Sequence, residues 1–391
     1  MIKFLHASKN STLYSKFEML NTGSDEISEL KSGFTHEGGH DVSRILIEFD
    51  SADLNSYDRE TTSFFLNFKI IQKIELGDDF EIEVFPVSDT WSEGSGRFID
   101  TEHNYMGASW KYRNANRDVW SGDAFAEIEN GGGSWYEKYK TTTGHEIEMS
   151  KTIKLQKQAM DLKIDISDFV MYWLDSNIEN NGIILKFKND KQIHPANIKF
   201  FSRNTNTIYA PYLEAAIDDY SFNPVLQNIE IATQDICPIN SGSLNSGSLP
   251  QTTATGTHED VCGVELVKLS CDHIIPKIKQ IRDKYSTEVV EKIEVGVRDK
   301  FPPKNFTRVM RYNLNNYTTR DMFYSVRDAE TEEIIIDFSK FSKISCNPAG
   351  HFFYFDFGCL NLSRTYQFLI SIHDGVTQEL HIDTRVFGVI Q

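Results

Sequence analysis

The chain has 391 residues, a length that predicts two or three domains. Hydrophobic residues make up 40% and charged residues 25%, which are ordinary globular values that exclude wholesale disorder and a coiled coil. The 57 acidic residues outnumber the 40 basic ones, and the resulting net charge of −17 argues against general nucleic-acid binding and favours solubility. No apolar run approaches the ~18 residues of a membrane span, and the first residues lack the pattern of a signal peptide.

Short segments in which apolar and polar residues alternate dominate the first half of the chain. The period of two over 43–50, 78–85 and 182–188 predicts strands, and Gly- and Asn-rich turns separate them. A helix is predicted over 165–175, where apolar residues recur at helical spacing and Asp165 is available as the cap. This pattern is typical of an antiparallel sandwich or a jelly roll.

The composition changes between residues 223 and 264. Residues 240–257 are almost entirely Ser, Thr, Gly and Asn, with too little apolar surface to offset the entropy of ordering, so we expect a linker or a long surface loop. Cys237 and Cys262 bracket this stretch and could pair if oxidised. The five cysteines include no CxxC pair, which argues against a disulfide scaffold or a zinc ribbon and favours synthesis in a reducing cytosol.

Strand patterns resume over residues 265–391. Their number and spacing predict an immunoglobulin-like (Ig-like) sandwich. The segment 274–285 has apolar residues at helical spacing, but Pro276 also favours a strand, so both alternatives stay open. The remaining strands are predicted at 291–299, 332–338, 351–357, 365–375 and 379–390.

The order of motifs in residues 1–222 resembles the DNRLRE-type jelly-roll domain. Five segments carry this resemblance: NTGSDEISEL (21–30), SRILIEFD (43–50), VFPVSDTWSEGSG (84–96), DISDFVMYWLDSNIENNGIILKF (165–187) and IKFFSRNTNTIYAPYLEAAIDD (198–219). This chain departs from the family in a long insertion, 97–150, between the Trp-Ser-Glu-Gly turn and the helix. The resemblance implies a structural or binding module and carries over no catalytic residue.

Residues 265–391 resemble the Ig-like module that accompanies such domains in structural proteins of tailed bacteriophages. Three segments carry this second resemblance: 295–308, 323–357 and 362–375. Together the resemblances imply an all-β protein, with an N-terminal jelly-roll β-sandwich and a C-terminal Ig-like β-sandwich. They imply a virion structural protein of the tail, baseplate or neck that is assembled in the host cytoplasm.

The expected partners are other virion structural proteins and further copies of the chain, with no cofactor, membrane or direct nucleic-acid contact. The competing interpretation is a carbohydrate-binding or adhesive module that uses an aromatic loop over 105–136. Aromatic rings of the insertion either stack on glycan or pin the loop and fill an interface: Tyr105, Trp110, Tyr112, Trp120 and Trp135.

A net positive stretch between residues 277 and 311 stands out in this acidic chain. It is expected either to dock on an acidic partner surface or to be a solvated strand face. Nucleic acid is a weaker alternative, because no stacking aromatics interleave with the charges. The cations considered for docking are Lys277, Lys279, Arg282, Arg298, Lys300, Lys304 and Arg308.

Metal and enzyme motifs are weak in this sequence. HEGGH at 36–40 fits the H-E-x-x-H zinc pattern, but Gly38 and Gly39 disfavour the helix that this pattern requires, so no metal site is predicted. The sequence has no G-x-S-x-G, P-loop or dinucleotide motif, and we predict that the protein is not an enzyme. Carboxylates near the Trp-Ser-Glu-Gly turn either hold calcium or, as we favour, form a solvated acidic turn: Asp89, Glu93, Asp100 and Glu102.

Overall fold

The computed structural model describes residues 1–33, 39–74, 80–100, 106–121, 131–141, 143–155, 161–188, 195–224, 266–268, 274–301, 315–373 and 378–391. Secondary structure in these ranges is nearly all β, which confirms the predicted all-β class. The chain forms two compact units, a first of Lys3–Ala216 and a second of Ile217–Gln391 with Met1–Ile2. Across the described ranges, no helix is both long enough and apolar enough to cross a membrane.

Thirteen strands and two α-helices lie in the described chain up to residue 217, with a short 3-10 turn at Ser15–Phe17. In chain order they are β1 (Ile2–His6), β2 (Lys9–Tyr14), β3 (Ile27–Ser32), β4 (Ser43–Glu48), α1 (Ser51–Leu54), β5 (Thr62–Ile74), β6 (Glu81–Pro86), β7 (Lys138–Lys140), β8 (Glu146–Glu148), β9 (Lys151–Lys154), β10 (Asp161–Asp165), α2 (Ser167–Leu174), β11 (Ile183–Phe187), β12 (Ala196–Phe201) and β13 (Tyr212–Ile217).

Most of these strands form one sheet with the order β1-β13-β5-β12-β3-β4-β11-β6-β9, while β10 pairs with β5 and β2 pairs with β4. Leu66 and Leu213 come from one end of this order, and Ile82 and Ile183 come from the other, yet all four lie in one buried core. The sheet must therefore fold over itself, as in a sandwich. Strand β5 makes the connection, because it pairs with β10 through its first half and with β12 through its second.

The strands β4, β6 and β11 are covered on both faces. Ile45 and Ile183 point into the main core, whereas their chain neighbours Leu46 and Ile184 lie in a second, outer core. Residues of the insertion, among them Trp120, complete this outer core. A face that strand alternation alone would leave to solvent is therefore buried.

The second unit contains twelve strands in its described ranges, with 3-10 turns at Lys340–Ser342 and Phe357–Cys359. In chain order they are β14 (Leu266–Lys268), β15 (Ile274–Ile278), β16 (Lys284–Ser286), β17 (Val290–Asp299), β18 (Asn315–Tyr317), β19 (Asp321–Asp328), β20 (Ile334–Ile336), β21 (Ser345–Asn347), β22 (Gly350–Asp356), β23 (Thr365–His373), β24 (Gln378–Ile382) and β25 (Phe387–Ile390).

Two sheets of this unit pack face to face. One has the order β15-β17-β22-β21, and the other has the order β16-β25-β23-β19-β20 with β24 also on β23. The rings of Tyr324 and Phe353 stack across the sheets with centroids 4.2 Å apart, and Phe355 meets Phe368 edge to face at 5.2 Å. Aromatic rings bury large areas and favour these geometries, so they dominate this core.

The structure decides between the two alternatives for one segment and differs from the sequence predictions in two other places. Segment 274–278 is a strand and not a helix, since its pairing with β17 supplies backbone hydrogen bonds that Pro276 would interrupt in a helix. The C-terminal segment 379–390 divides into two strands. Helix α2 begins at Ser167 with Ile166 as its N-cap, while Asp165 accepts a hydrogen bond from the Ser167 amide at 3.0 Å.

The expected domain boundary also differs from the compact units. Residues 217–222 were assigned to the first domain by sequence pattern, but they belong to the second unit. The Cys346 amide donates to the Ser221 carbonyl at 2.9 Å, and the Asn223 amide donates back to the Cys346 carbonyl at 2.8 Å. Cys346 and Cys359 are buried free thiols, whereas Cys237, Cys262 and Cys271 lie outside the described residues, as does nearly all of the predicted linker.

Candidate functional site

The turn after β6 is the point at which the motifs of the first unit meet. The buried Asn21 side chain uses its full hydrogen-bonding capacity there. Its Nδ2 donates to the carbonyls of Glu93 at 2.7 Å and Ala108 at 2.8 Å. Its Oδ1 accepts from the amides of Gly96 at 2.9 Å and Gly23 at 3.3 Å. One side chain therefore joins the turn at 21–25, the Trp-Ser-Glu-Gly turn and the start of the insertion.

Glu93 links the same turn to the last motif of the unit. Its carboxylate accepts from the Asn10 amide at 2.9 Å and from the Arg203 guanidinium at 3.1 Å. Arg203 also donates through Nε to the Ala7 carbonyl at 2.8 Å. The glutamate is therefore an internal tie between loops, which leaves it occupied by the protein's own donors.

Trp91 completes the motif node, which we define as Asn21, Trp91, Glu93, Asn181 and Arg203. The indole of Trp91 is buried and donates through Nε1 to the Asn181 carbonyl at 2.8 Å. The Asn181 amide group donates to the Ser88 carbonyl at 3.2 Å. These contacts join four of the five segments of the family resemblance, 21–30, 84–96, 165–187 and 198–219, into one hydrogen-bonded network.

The glycine that follows Glu93 is required by its surroundings. Gly94 has φ of +78°, and a Cβ at this position would lie 2.3 Å from Asn21 Oδ1. Any other residue would therefore meet both an unfavourable backbone and a collision. This close approach accounts for the Glu-Gly sequence in the motif.

The carboxylates considered for calcium are held by separate partners. Burial raises the pKa of Asp89, but hydrogen bonds from Ser121 and from Ser134 at 2.7 Å outweigh it, so this pKa lies below its usual range. Asp100 accepts from the Arg97 amide at 2.9 Å, and Glu102 lies outside the described residues. Within the ranges that the structure covers, no group of three or more His, Cys, Asp and Glu residues is arranged to hold a metal ion.

Only part of the H-E-x-x-H motif can be located. His40 is exposed ahead of β4, and residues 36–38 lie outside the described ranges. The buried histidine of the second unit, His351, has a structural environment: its Nε2 accepts from the Thr318 amide at 3.0 Å. Burial lowers the pKa of His351 to about 4, so the ring is neutral at physiological pH.

The aromatic residues of the insertion pack onto the first unit. Trp120 and Trp135 are each only 6% exposed, and Trp120 Nε1 donates to the Ser109 carbonyl at 2.9 Å. The Arg44 guanidinium lies between two rings, 4.9 Å from the Trp110 centroid and 5.1 Å from the Trp135 centroid. It also donates to the Gly132 carbonyl at 2.9 Å. These contacts fix the insertion against β4.

The packing limits which rings could meet a ligand. Trp120 and Trp135 offer no free ring face, Trp110 and Tyr112 are half-buried, and Tyr105 lies outside the described residues. The insertion and its start instead expose aliphatic and phenyl groups. Phe98, Ile99, Met106 and Val119 are all exposed there.

The basic stretch lies on β15 and β17 of the second unit. Lys277, Lys279, Arg298 and Lys300 are exposed. Arg282 is also exposed and lies 3.0 Å from a carboxylate oxygen of Glu291. Lys304 and Arg308 lie outside the described residues. The structure therefore brings four of the seven predicted cations together, Lys277 and Arg298 on the paired strands β15 and β17 and Lys279 and Lys300 directly after them.

A second charged surface, which the sequence does not predict, lies on the first unit. Residues 50–60 lie beside residues 175–180, because Arg59 pairs with Asp175 and donates to the Leu174 carbonyl at 2.6 Å. Asn180 Nδ2 joins the same segments by donating to the Phe49 carbonyl at 2.9 Å. We call this surface the acidic end, defined by the exposed carboxylates Asp50, Asp53, Asp58, Glu60, Asp175 and Glu179.

Fold and site together describe an all-β protein with a β-sandwich architecture, whose polar network holds loops and whose charged surfaces face outward. No protein-family model matches the chain, and a search of curated proteins finds no match. The chain is similar to a solved structure of Parabacteroides merdae β-glucuronidase with glycerol in its active site, with a TM-score of 0.15 and 10% sequence identity. The match covers 89% of this chain and 27% of that chain.

A second crystal structure of the Parabacteroides merdae β-glucuronidase gives a TM-score of 0.19 and 8% identity, over 99% of this chain and 35% of that chain. This chain thus spans about a third of the length of the solved structures it matches, or less. Similarities this low carry no argument about function.

Proposed function

We propose that the chain is a structural protein of a tailed-bacteriophage virion, in the tail, baseplate or neck, and that it acts by assembly. In this proposal the first unit is a DNRLRE-like jelly roll and the second is an Ig-like sandwich. Copies of the chain and other virion proteins are its partners, and it is assembled in the host cytoplasm. It uses no cofactor and catalyses no reaction.

The observation that carries the proposal is the motif node. The residues on which the family resemblance depends are used to fix loops: Asn21 and Trp91 are buried, and Glu93 is bound by Asn10 and Arg203. Polar residues of this kind specify a fold when each of them is fully hydrogen-bonded. This supports a domain whose recurring motifs maintain a rigid body rather than a reactive centre.

The strand order of the second unit supports the Ig-like assignment. Lettered in Ig fashion, β15, β17, β22 and β21 take the places A, B, E and D of one sheet. Strands β19, β23 and β25 take the places C, F and G of the other. Tyr366 near the start of β23 donates to the Asn361 carbonyl at 3.1 Å and accepts from its amide at 2.9 Å, as in the tyrosine corner of Ig sandwiches.

Exposed apolar side chains support a role in assembly. Leu380 and Ile382 on β24, Val386 after it and Ile390 on β25 are all exposed near the C-terminus. Leu380 and Ile382 are two residues apart on β24 and share an exposed face, and adjoining apolar groups of this kind mark contact surfaces more often than isolated ones do. A virion protein in many copies would cover such a surface with a neighbour.

Two measurements test the proposal. The first is the mass of the purified chain by light scattering over a concentration series. The second is mass spectrometry of purified particles of the phage whose genome encodes it. We expect a defined oligomer or recovery from the particle at a fixed stoichiometry. The proposal would be overturned if the chain stays monomeric at every concentration and is also absent from the particle.

A glycan array run on the same protein distinguishes the competing adhesive function. Specific glycan binding that Trp110→Ala abolishes, without a change in tryptophan-monitored unfolding, would favour that function instead. Trp120→Ala is not suited to this test, because Trp120 belongs to the outer core and its loss would destabilise the first unit whether or not it binds glycan.

A further inference from the structure

The outer face of β15 and β17 presents cations to solvent. The register pairs Ile275 with Arg298 and Lys277 with Gly296, whereas the alternate residues Ile278 and Val295 are paired and buried. Since directly opposed residues share a face, Lys277 and Arg298 point away from the core. Lys292, Lys279 and Lys300 extend this surface, which we call the basic face: Lys277, Lys279, Lys292, Arg298 and Lys300.

The basic face has fewer carboxylates than cations, and the Asp383 carboxylate is close enough to Lys277 to interact with it electrostatically. Glu294 is its one carboxylate among the described side chains of β15 and β17 that point outward, and it lies 3.3 Å from Lys279. Gly296 has no side chain, and the aliphatic part of Lys279 lies over it, since a Cβ at Gly296 would be 3.7 Å from Lys279 Cγ. Lys292 is half-buried, and its ammonium group lies 4.2 Å from the ring centroid of Phe352.

The acidic end of the first unit has the opposite character. Its six exposed carboxylates face a single guanidinium, that of Arg59. Among the described residues, no cation forms an ion pair with Asp53, Asp58, Glu60 or Glu179. Residues 3–216 as a whole carry 34 acidic against 23 basic residues, so the surroundings do not compensate this charge.

We propose that the basic face of one copy binds the acidic end of a second copy. This inference rests on the proposed function and names the contact through which the chain would self-assemble. The two surfaces differ, so the contact is heterologous and head to tail, and repetition of it closes a ring or extends a filament. Opposite charges of this kind steer association and fix orientation, and salt weakens them.

Charge complementarity is the argument for a second copy. The basic face is complementary to an anionic partner and the acidic end to a cationic one, and this chain carries both surfaces. Nucleic acid is a poorer occupant of the basic face, because the net charge of −17 repels a polyanion as it approaches.

Charge reversal with rescue tests the contact on the full chain. One variant carries Lys277→Glu and Arg298→Glu, and a second carries Asp53→Lys and Asp58→Lys. The matched control carries Lys16→Glu and Lys111→Glu, at exposed positions of the first unit outside the acidic end. Sedimentation velocity at low and high salt gives the dissociation constant of each protein.

We expect wild-type association that weakens with salt, a further loss of about tenfold or more in either reversed variant, and no comparable loss in the control. A mixture of the two reversed variants, and a chain that carries all four substitutions, should regain association. Circular dichroism and tryptophan fluorescence establish that each variant is folded.

A wild-type chain that stays monomeric, reversed variants with the wild-type dissociation constant, or a failure of rescue would each overturn the contact. These outcomes leave the proposed function standing if mass spectrometry still finds the chain in the particle. Absence from the particle together with intact charge-dependent self-association would instead overturn the virion role and keep the contact.

Discussion

Replacing Asn21 by alanine should destabilise the first unit strongly. The substitution removes four hydrogen bonds and leaves the carbonyls of Glu93 and Ala108 and the amides of Gly23 and Gly96 without that partner. A buried polar group without a partner costs about 1–3 kcal/mol. Relaxation of the turn and entry of water recover part of the sum, so we expect a loss of about 3–5 kcal/mol.

Urea unfolding monitored by tryptophan fluorescence isolates this effect. All five tryptophans lie between residues 91 and 173, so the signal reports the first unit and is silent on the second. A loss of this size moves the midpoint by about 2 M urea for a typical dependence on denaturant. The second unit, followed by far-UV circular dichroism, should unfold as in the wild type.

Asn206→Ala is the matched control, since Asn206 is exposed and its side chain makes one long hydrogen bond to Glu26 at 3.3 Å. It should change the free energy of unfolding by no more than about 0.5 kcal/mol. If Asn21→Ala costs less than about 1 kcal/mol, the node is not the structural tie that these distances indicate.

Three further predictions concern the two cores. Burial lowers the pKa of His351 to about 4, whereas in the unfolded chain it is near 6.5, so between these values the unfolded state binds the proton and the folded state does not. The second unit should therefore lose up to about 3 kcal/mol of unfolding free energy as the pH falls from 6.5 to 4. His351→Asn should flatten that dependence in urea titrations at several pH values. Tyr366→Phe removes both hydrogen bonds to Asn361 and should cost about 1–3 kcal/mol in circular-dichroism melts, whereas an unchanged midpoint would count against the corner. Trp120→Ala leaves a cavity in the outer core and should lower the unfolding free energy of the first unit by about 3–5 kcal/mol in the fluorescence assay, while a wild-type midpoint would mean that the ring is not buried.

Local patterns in the sequence determined the β class and most strand positions. Alternation over 43–50 and 182–188 predicted β4 and β11, because a strand with a buried face must repeat with a period of two. The turns also followed from local chemistry: Gly94 occupies a backbone conformation that other residues rarely adopt. These features depend on a few neighbouring residues, which is why one sequence suffices to predict them.

The environment of an outward-pointing residue depended on the tertiary structure. Alternation correctly predicts that the Arg44 side chain points to the opposite side of β4 from Ile45 and Ile47. It does not predict that the insertion covers that side. Arg44 is therefore 9% exposed and lies between two indole rings that are distant in sequence. Likewise, a run of aromatic residues in a loop has the same composition whether it binds glycan or packs inward.

The charged surfaces divide in the same way. The basic stretch was visible in the sequence, because its cations come from two strands that are close in the chain. The acidic end was not, since it joins residues 50–60 to residues 175–180 through the contacts of Arg59 and Asn180. Contacts over more than a hundred residues form only when the whole sandwich closes, so that surface was decided by the tertiary structure alone.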